Sequence, residues 1–550
     1  MQSGLPTPPL TEDDNANDSS YTDLLKSLSI ESTSDAPECS SRLERKFGDS
    51  ELAFYLPSRQ MGVNDMYLAF EFRAVERVMR RSRVRVAWAL LRLRHPLLAS
   101  MVEMHSYHDV RFVYDAPKSP DEVLLDANTA LDYCALTKED LADRYVNGPR
   151  TLSDSRLSYL TISQPRVGPS SLPTPPLSPA CYSTPSYEDL PTEELYDYTI
   201  FMCAAHFIGD GMSLLDLCKT LFDILGSDKT TCQLEGQLRD EWHVKFVETT
   251  SLSHVLPVAA EGRLPTLQGK FRRAAAKVDF WRDQQKNIGG QAFPRWQSRT
   301  RQIGIRSVSF DVEKTAKILK KCKKERMSVS LVVFALCNMA WARSQPDNKH
   351  LPMMMYSALS LRPYLKPSYP LSSDLFLAVG YFNIVLPSFI PKDSNEAKLF
   401  WHRARSARDQ CVRTAKSRML PYRSREMAHK RAEQARAWAV VDDTKADSPA
   451  KPKEQPTVLA DVPKTPSATL LGISLLGNLN SFCDHAKAPL FEVVGMLPGV
   501  RQRAGGMLMF SYTFAHKLYI VVNWDELGYD RDVFDEFWDG VVGGVDEFLC

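Results

Sequence analysis

Residues 203–218 read CAAHFIGDGMSLLDLC: an apolar run delivers a histidine, two glycines flank an aspartate, and leucines then recur at helical spacing. Upstream, YDYTIFMCAAH (196–206) is apolar and aromatic enough to be a strand. Gly209 and Gly211 permit a tight turn with positive φ, and from Ser213 onward a helix begins. A strand, turn and helix in that order present the turn's side chains to a cleft. Imidazole titrates nearest neutrality, so His206 is a candidate base for a bound hydroxyl or amine. Three other readings stand beside it on the residues alone. His206 is a hydrogen-bonded core histidine; His206 and Asp210 ligate a metal, which the glycines disfavour by opposing helix; or His206, Asp210 and Ser213 form a hydrolytic triad, although no GxSxG elbow is present.

Around this segment the chain has 550 residues and 44% hydrophobic content, enough for two or three domains with full cores. Its 68 basic and 67 acidic residues leave a net charge of +1, which excludes a global electrostatic footprint for nucleic acid or anionic membrane. Small molecules or proteins are the expected partners, and a monomer the expected state. The 11 cysteines carry no CxxC pairs, and Cys203, Cys218 and Cys337 sit in apolar runs, as in a reducing compartment. The N-terminal MQSGLPTPPL reads as neither a signal nor a transit peptide, and the C-terminal EFLC is no peroxisomal signal; the cytoplasm is expected, with the peroxisome as alternative. The apolar stretch 329–342 is too short for a membrane span and reads as a core helix.

Residues 1–45 are rich in Ser, Asp, Thr and Pro, the composition of a disordered tail. Two further low-complexity stretches, 166–194 and 442–467, read as disordered insertions; the first repeats the LPTPPL of residues 5–10 at 172–177. Between them strands and helices alternate. RSRVRVAWALLRLR (81–94) places Val84, Trp88 and Leu91 on one helical face before Pro96 stops it. VRFVYD (110–115), SYLTIS (158–163), PMMMYSALSLRPY (352–364), AVGYFNIVLP (378–387), MLMFSYTF (507–514) and KLYIVVNWDE (517–526) read as strands, and 533–549 as a helix with Phe534, Phe537, Trp538, Val541, Val545 and Phe548 on one face. The mixture predicts an α/β protein in two halves, 46–295 and 296–550. Residues 403–436 carry eleven Lys or Arg against three acidic residues. They read as a solvated helix face, with a phosphate contact from them, or from Lys320, Lys321, Lys323 and Lys324, as the alternative.

HFIGDG resembles the HxxxDG signature of the superfamily containing chloramphenicol acetyltransferase, plant BAHD acyltransferases, fungal trichothecene-type acetyltransferases and peptide-synthetase condensation domains. LLRLRHPLLAS (90–100) resembles that family's early helix ending in RHPxL, ALSLRPYL (358–365) its NLR-type strand, and VGYFNIVLP (379–387) its GxFxNxLP segment. Together they span about residues 50–550 in family order. Ala205 stands where condensation domains carry a first histidine, and no DFGWG segment is present, so the fungal branch is the better match, similar to mannosylerythritol lipid acyltransferases and trichothecene-type acetyltransferases.

The resemblance implies two chloramphenicol acetyltransferase-like sandwich domains with a channel between them and His206 at its midpoint. It implies an O-acyl transfer in which His206 deprotonates an acceptor hydroxyl and acyl-CoA is the donor, with no bound cofactor and no metal. Asp210 would pair with Arg362 on the NLR-type strand, Gly211 would let the turn close, and Asn383 would touch the channel. Because loop length changes closure entropy only slowly, deleting residues 1–40, or replacing 168–190 with a short Gly/Ser linker, is expected to leave melting temperature and thioester turnover nearly unchanged. A large loss of turnover with the fold intact would place those segments in the channel.

Overall fold

The computed structural model describes residues 42–164, 194–249, 252, 254–296, 300–345, 349–367, 373–446, 468–485 and 490–550. The expected tail up to residue 41 and most of both expected insertions (166–193 and 447–467) lie outside the described residues. In chain order the strands are β1 (Arg42–Lys46), β2 (Met66–Val75), β3 (Met101–Ser106), β4 (Asp109–Asp115), β5 (Leu131–Cys134), β6 (Ser158–Ser163), β7 (Leu195–Ala204), β8 (Ile303–Phe310), β9 (Met353–Ser360), β10 (Val379–Leu386), β11 (Gly472–Asn478), β12 (Phe491–Val500), β13 (Met507–Phe514) and β14 (Lys517–Asp525). The helices that bear on the site are α1 (Asp49–Ser58), α2 (Arg81–Arg94), α3 (Gly211–Leu225), α4 (Lys270–Gln285), α5 (Val329–Ser344), α6 (Glu396–Ala415), α7 (Leu420–Ala446) and α8 (Arg531–Leu549).

The architecture is mixed α/β with two sheet-containing bodies. The first holds a sheet of order β12-β2-β7-β6-β5, the second a sheet of order β10-β9-β11-β13-β14-β8, and β1-β4-β3 form a small third sheet. At the centre of the first, MYLAFEFRAV (β2) runs antiparallel to β7 from Met66↔Ala204 to Val75↔Leu195. That register ends β7 at Ala204, so His206 emerges at the end of a central strand. In β14, Leu518, Ile520, Val522 and Trp524 enter the second body's core while Val521 enters the first's. Period-two alternation thus buries both faces of one sheet and joins the bodies.

Several boundaries differ from the sequence reading. Residues 42–45 belong to β1, which pairs with β4 from Arg42↔Asp115 to Lys46↔Arg111, and not to a tail. Residues 442–446 extend α7 instead of opening an insertion, and Asp443 accepts from Arg59 at 2.9 Å and from Tyr107 at 2.7 Å. The division at residue 295 is crossed by β12, which pairs with β2 in the first body's sheet. Pro498 in β12 pairs with Leu68; at a sheet edge its missing N–H can face outward. The helix after His206 starts at Gly211, two residues before Ser213.

The helix faces follow the hydrophobic pattern. Val84, Trp88 and Leu91 of α2 are fully enclosed, as are Phe534, Phe537, Val541 and Val545 of α8, and most of α5 is buried. Basic residues break the pattern usefully. Arg83 is buried and donates to the carbonyls of Leu225 (2.9 Å), Ser227 (2.8 Å) and Lys229 (2.6 Å), capping the C-terminus of α3, where the helix dipole favours a cation. Arg403 in α6 is 1% exposed, donating to Asn338 Oδ1 and the Phe389 carbonyl, so residues 403–436 are not simply a solvated face. Among the described residues no single helix is long and apolar enough to cross a membrane.

Candidate active site

His206 sits in the turn between β7 and α3, and its neighbours fix that turn. Phe207 is 1% exposed and packs edge-on against Tyr55 at 5.3 Å, beside Phe47 and Phe112, while Ile208 is wholly buried. The amide of Ala205 donates to the Leu157 carbonyl at 2.9 Å. With both flanks buried, the His206 ring remains half-buried and stacks on Phe54 of α1 at 4.3 Å between ring centres, 20° from parallel. Its Nδ1 is enclosed and has no hydrogen-bond partner among the described residues. Nε2 is the nitrogen left for a substrate to reach.

Burial lowers the His206 pKa below its ordinary value of 6.5, and the Arg431 charge adds to the effect. Its own carbonyl, the Gly209 backbone and the Asp210 carboxylate oppose the shift without reversing it. The ring is therefore held neutral and able to accept a proton near pH 7.

Asp210 faces away from this chemistry. It is the N-cap of α3, accepting from Met212 and Ser213 amides at 3.1 Å each, which satisfies two of that helix's free N–H groups. Its other oxygen accepts from the Ala378 amide at 3.0 Å and from Arg362 Nη1 at 2.8 Å. Arg362 Nη2 donates to Ser213 Oγ at 2.6 Å and to the Phe376 carbonyl at 3.2 Å. Asp210 is 3% exposed and fully engaged, and the Ser213 hydroxyl is held between Arg362 and Phe376. Neither can complete a triad with His206.

This cluster docks the segment around Arg362 and Phe376 onto the histidine turn. Arg362 lies just beyond β9 in a short 3₁₀ turn, not on the strand as the resemblance implied. From the same segment Ser373 Oγ meets His95 Nδ1 at 2.7 Å, and burial pushes His95 down to about 4, so that ring stays neutral. The glycines exchange roles. Neither Gly209 nor Gly211 has positive φ. A Cβ on Gly209 would lie 2.8 Å from Leu375 Cδ1 and 3.2 Å from Ser213 Cβ, whereas one on Gly211 would meet only Leu476 at 3.6 Å. Gly209, not Gly211, permits the close approach.

Asn383, on β10 opposite Tyr356, lines a cavity of about 110 Å³ together with Ser50, Gln284, Ser424 and Arg431. His206 is not on that cavity's wall, but α1, which carries Ser50 of the wall, also carries the Phe54 ring that stacks on His206. Sequence reasoning missed Phe54 and Arg431: one is a phenylalanine in an unremarkable helix, the other an arginine among many. Lys320, Lys321, Lys323 and Lys324 do not line the cavity. No group of His, Cys, Asp and Glu suited to a metal ion occurs among the described residues.

No protein-family model matches the chain, and no curated protein matches it by sequence. Solved structures are similar to it in fold. The trichothecene 15-O-acetyltransferase TRI3 of Fusarium sporotrichioides superposes with a TM-score of 0.67 at 12% identity, covering 94% of this chain and 97% of that one. The epimerization domain from the third module of tyrocidine synthetase B gives 0.53 at 11%, over 92% and 98% of the two chains. The condensation domain of the Monacolin K polyketide synthase MokA gives 0.53 at 9%, over 92% and 97%. The fold is that of the two-domain chloramphenicol acetyltransferase-like acyltransferases and condensation domains.

The glycine geometry predicts an asymmetry. Gly209→Ala should lower unfolding free energy by about 1–3 kcal/mol, the usual cost of overpacking, while Gly211→Ala should stay within about 0.5 kcal/mol of wild type. Urea denaturation of both variants checks it, and the reverse order would show that the turn is built differently.

Proposed function

We propose that this chain is an acyl-CoA-dependent O-acyltransferase with His206 as general base, acting on a hydroxyl of a small secondary metabolite such as a mannosylerythritol-type glycolipid. The observation that carries the reading is an imidazole kept neutral on the one turn that Asp210 and Arg362 clamp, with its carboxylate neighbour locked elsewhere. A structural histidine of the core usually has its enclosed nitrogens hydrogen-bonded; the enclosed Nδ1 of His206 has no such partner among the described residues. The likeness to an O-acetyltransferase, TM-score 0.67 against 0.53 for the MokA condensation domain, supports acyl transfer to oxygen. It also keeps a terpenoid acceptor of the trichothecene type as the second reading.

In the reaction, His206 Nε2 takes the acceptor's proton as its oxygen attacks the thioester carbonyl. The tetrahedral oxyanion collapses with cleavage of the C–S bond, and the thiolate of CoA leaves and is protonated by the imidazolium. Stacking on Phe54 holds the ring's orientation in place of a carboxylate partner. No covalent acyl-enzyme forms, so no nucleophilic side chain is needed. A module of the same fold that only holds a ligand is the rival reading.

His206→Ala should lower turnover by about 10²–10⁴-fold, the range typical of a positioned base, with little change in melting temperature. Because the base must be neutral, kcat/KM should fall as pH drops through an apparent pKa below 6.5 and be flat above neutrality. Thiol release from acetyl- to decanoyl-CoA, with glycolipid and terpenoid alcohols as acceptors, measures both. Wild-type rates in His206→Ala would remove the mechanism, and inertness of the wild type toward every acyl-CoA would favour the ligand-holding module.

A further inference from the structure

Arg431 differs from Arg423, Arg425 and Arg436 on α7. Arg423 reaches Asp279 and Asp283 at 2.7 Å each, Arg425 donates to the carbonyls of Glu261 and Leu264, and Arg436 faces Asp49 at 3.5 Å. Arg431 makes no hydrogen bond and no ion pair among the described residues. It is half-buried, its guanidinium carbon 4.3 Å from the Tyr381 ring centre and 5.3 Å from that of Phe54. The aromatic faces stabilise its charge but satisfy none of its five N–H donors.

A guanidinium cannot shed its proton, and its planar fork matches the geometry of carboxylate and phosphate oxygens. The cavity of about 110 Å³ that Arg431 lines adds the neutral donors of Ser50, Ser424 and Asn383. Asp283 is also on the wall, and Arg423 holds it at 2.7 Å. Phe54 links the cavity to the turn above, since its ring lies under Arg431 and stacks on His206.

We propose that this cavity binds the oxyanion group, carboxylate or phosphate, of one of the two substrates, with Arg431 as counter-ion and Asn383, Ser50 and Ser424 as neutral donors. It deepens the acyl-transfer reading and rests on it for the identity of the occupant as a substrate. The occupied site puts a negative charge one aromatic ring from the base. It also gives the guanidinium the kind of polar partner that Arg423, Arg425 and Arg436 already have.

The test is equilibrium binding of inorganic phosphate and acetate to wild type, Arg431→Gln and Arg431→Lys. Dissociation constants should rise about ten- to a hundredfold in Arg431→Gln, as expected for losing a charge-assisted pair, with Arg431→Lys between. Coenzyme A and pantetheine then separate the sources. Alongside weakened phosphate and acetate binding, weakened coenzyme A with unchanged pantetheine assigns the anion to the donor's phosphates, and unchanged coenzyme A assigns it to an acceptor carboxylate. In unmodified protein, saturating phosphate should slow phenylglyoxal modification of Arg431, read by peptide mass, which needs no variant to fold. Equal binding of phosphate and acetate by wild type and Arg431→Gln, or an unprotected Arg431, overturns the proposal. Binding needs no turnover, so an inert wild type would remove the acyl-transfer reading while leaving this result to stand or fall separately.

Discussion

The contact between Asp210 and Arg362 is the constraint on which the site depends. It joins the first turn of α3 in one body to the segment after β9 in the other, and four further contacts gather around it. Those are the Ala378 amide on Asp210, the Ser213 hydroxyl and the Phe376 carbonyl on Arg362, and Leu375 against Gly209. A buried ion pair gives up most of its Coulomb energy to desolvation. Its value here is positional, because losing either partner strands the other while α3 loses its cap.

Held at its N-terminus by Asp210 and at its C-terminus by Arg83, α3 has no freedom to slide along the sheet. The turn before it is fixed in consequence, and Phe207 and Ile208 anchor it in the first core. That leaves His206 as the one side chain of the turn with an open edge. With Asp210 engaged in a structural role, burial and the Arg431 charge favour the neutral ring. The His206 ring and the Arg431 guanidinium thus both pack on Phe54, 4.3 Å and 5.3 Å from its ring centre.

Local pattern revealed the strand, turn and helix around His206, and the resemblance supplied Arg362 as the partner of Asp210. These were legible because they lie in one short motif or a matching one. What could not be read depended on distant segments meeting. Gly209 and Gly211 look alike until Leu375 is packed against one of them. Phe54 and Arg431 reach the cleft from helices hundreds of residues apart, and nothing distinguishes Arg431 from Arg423, Arg425 and Arg436 until their partners are known. β12 was hidden for another reason: Gly495, Pro498 and Gly499 oppose strand propensity, and only pairing along β2 at a sheet edge overrides them. The small offsets at residues 42 and 446 reflect side-chain partners, such as Arg59 for Asp443, that composition does not reveal.

The most direct test of the account is a double-mutant cycle on Asp210→Asn and Arg362→Gln, with unfolding free energy and turnover measured for all four proteins. Each single substitution should cost about 3 kcal/mol or more and the double little beyond either, a coupling of at least about 2 kcal/mol, with turnover falling in step with stability. Costs that add to within about 0.5 kcal/mol, or an Asp210→Asn protein that melts like wild type while losing turnover, would contradict it.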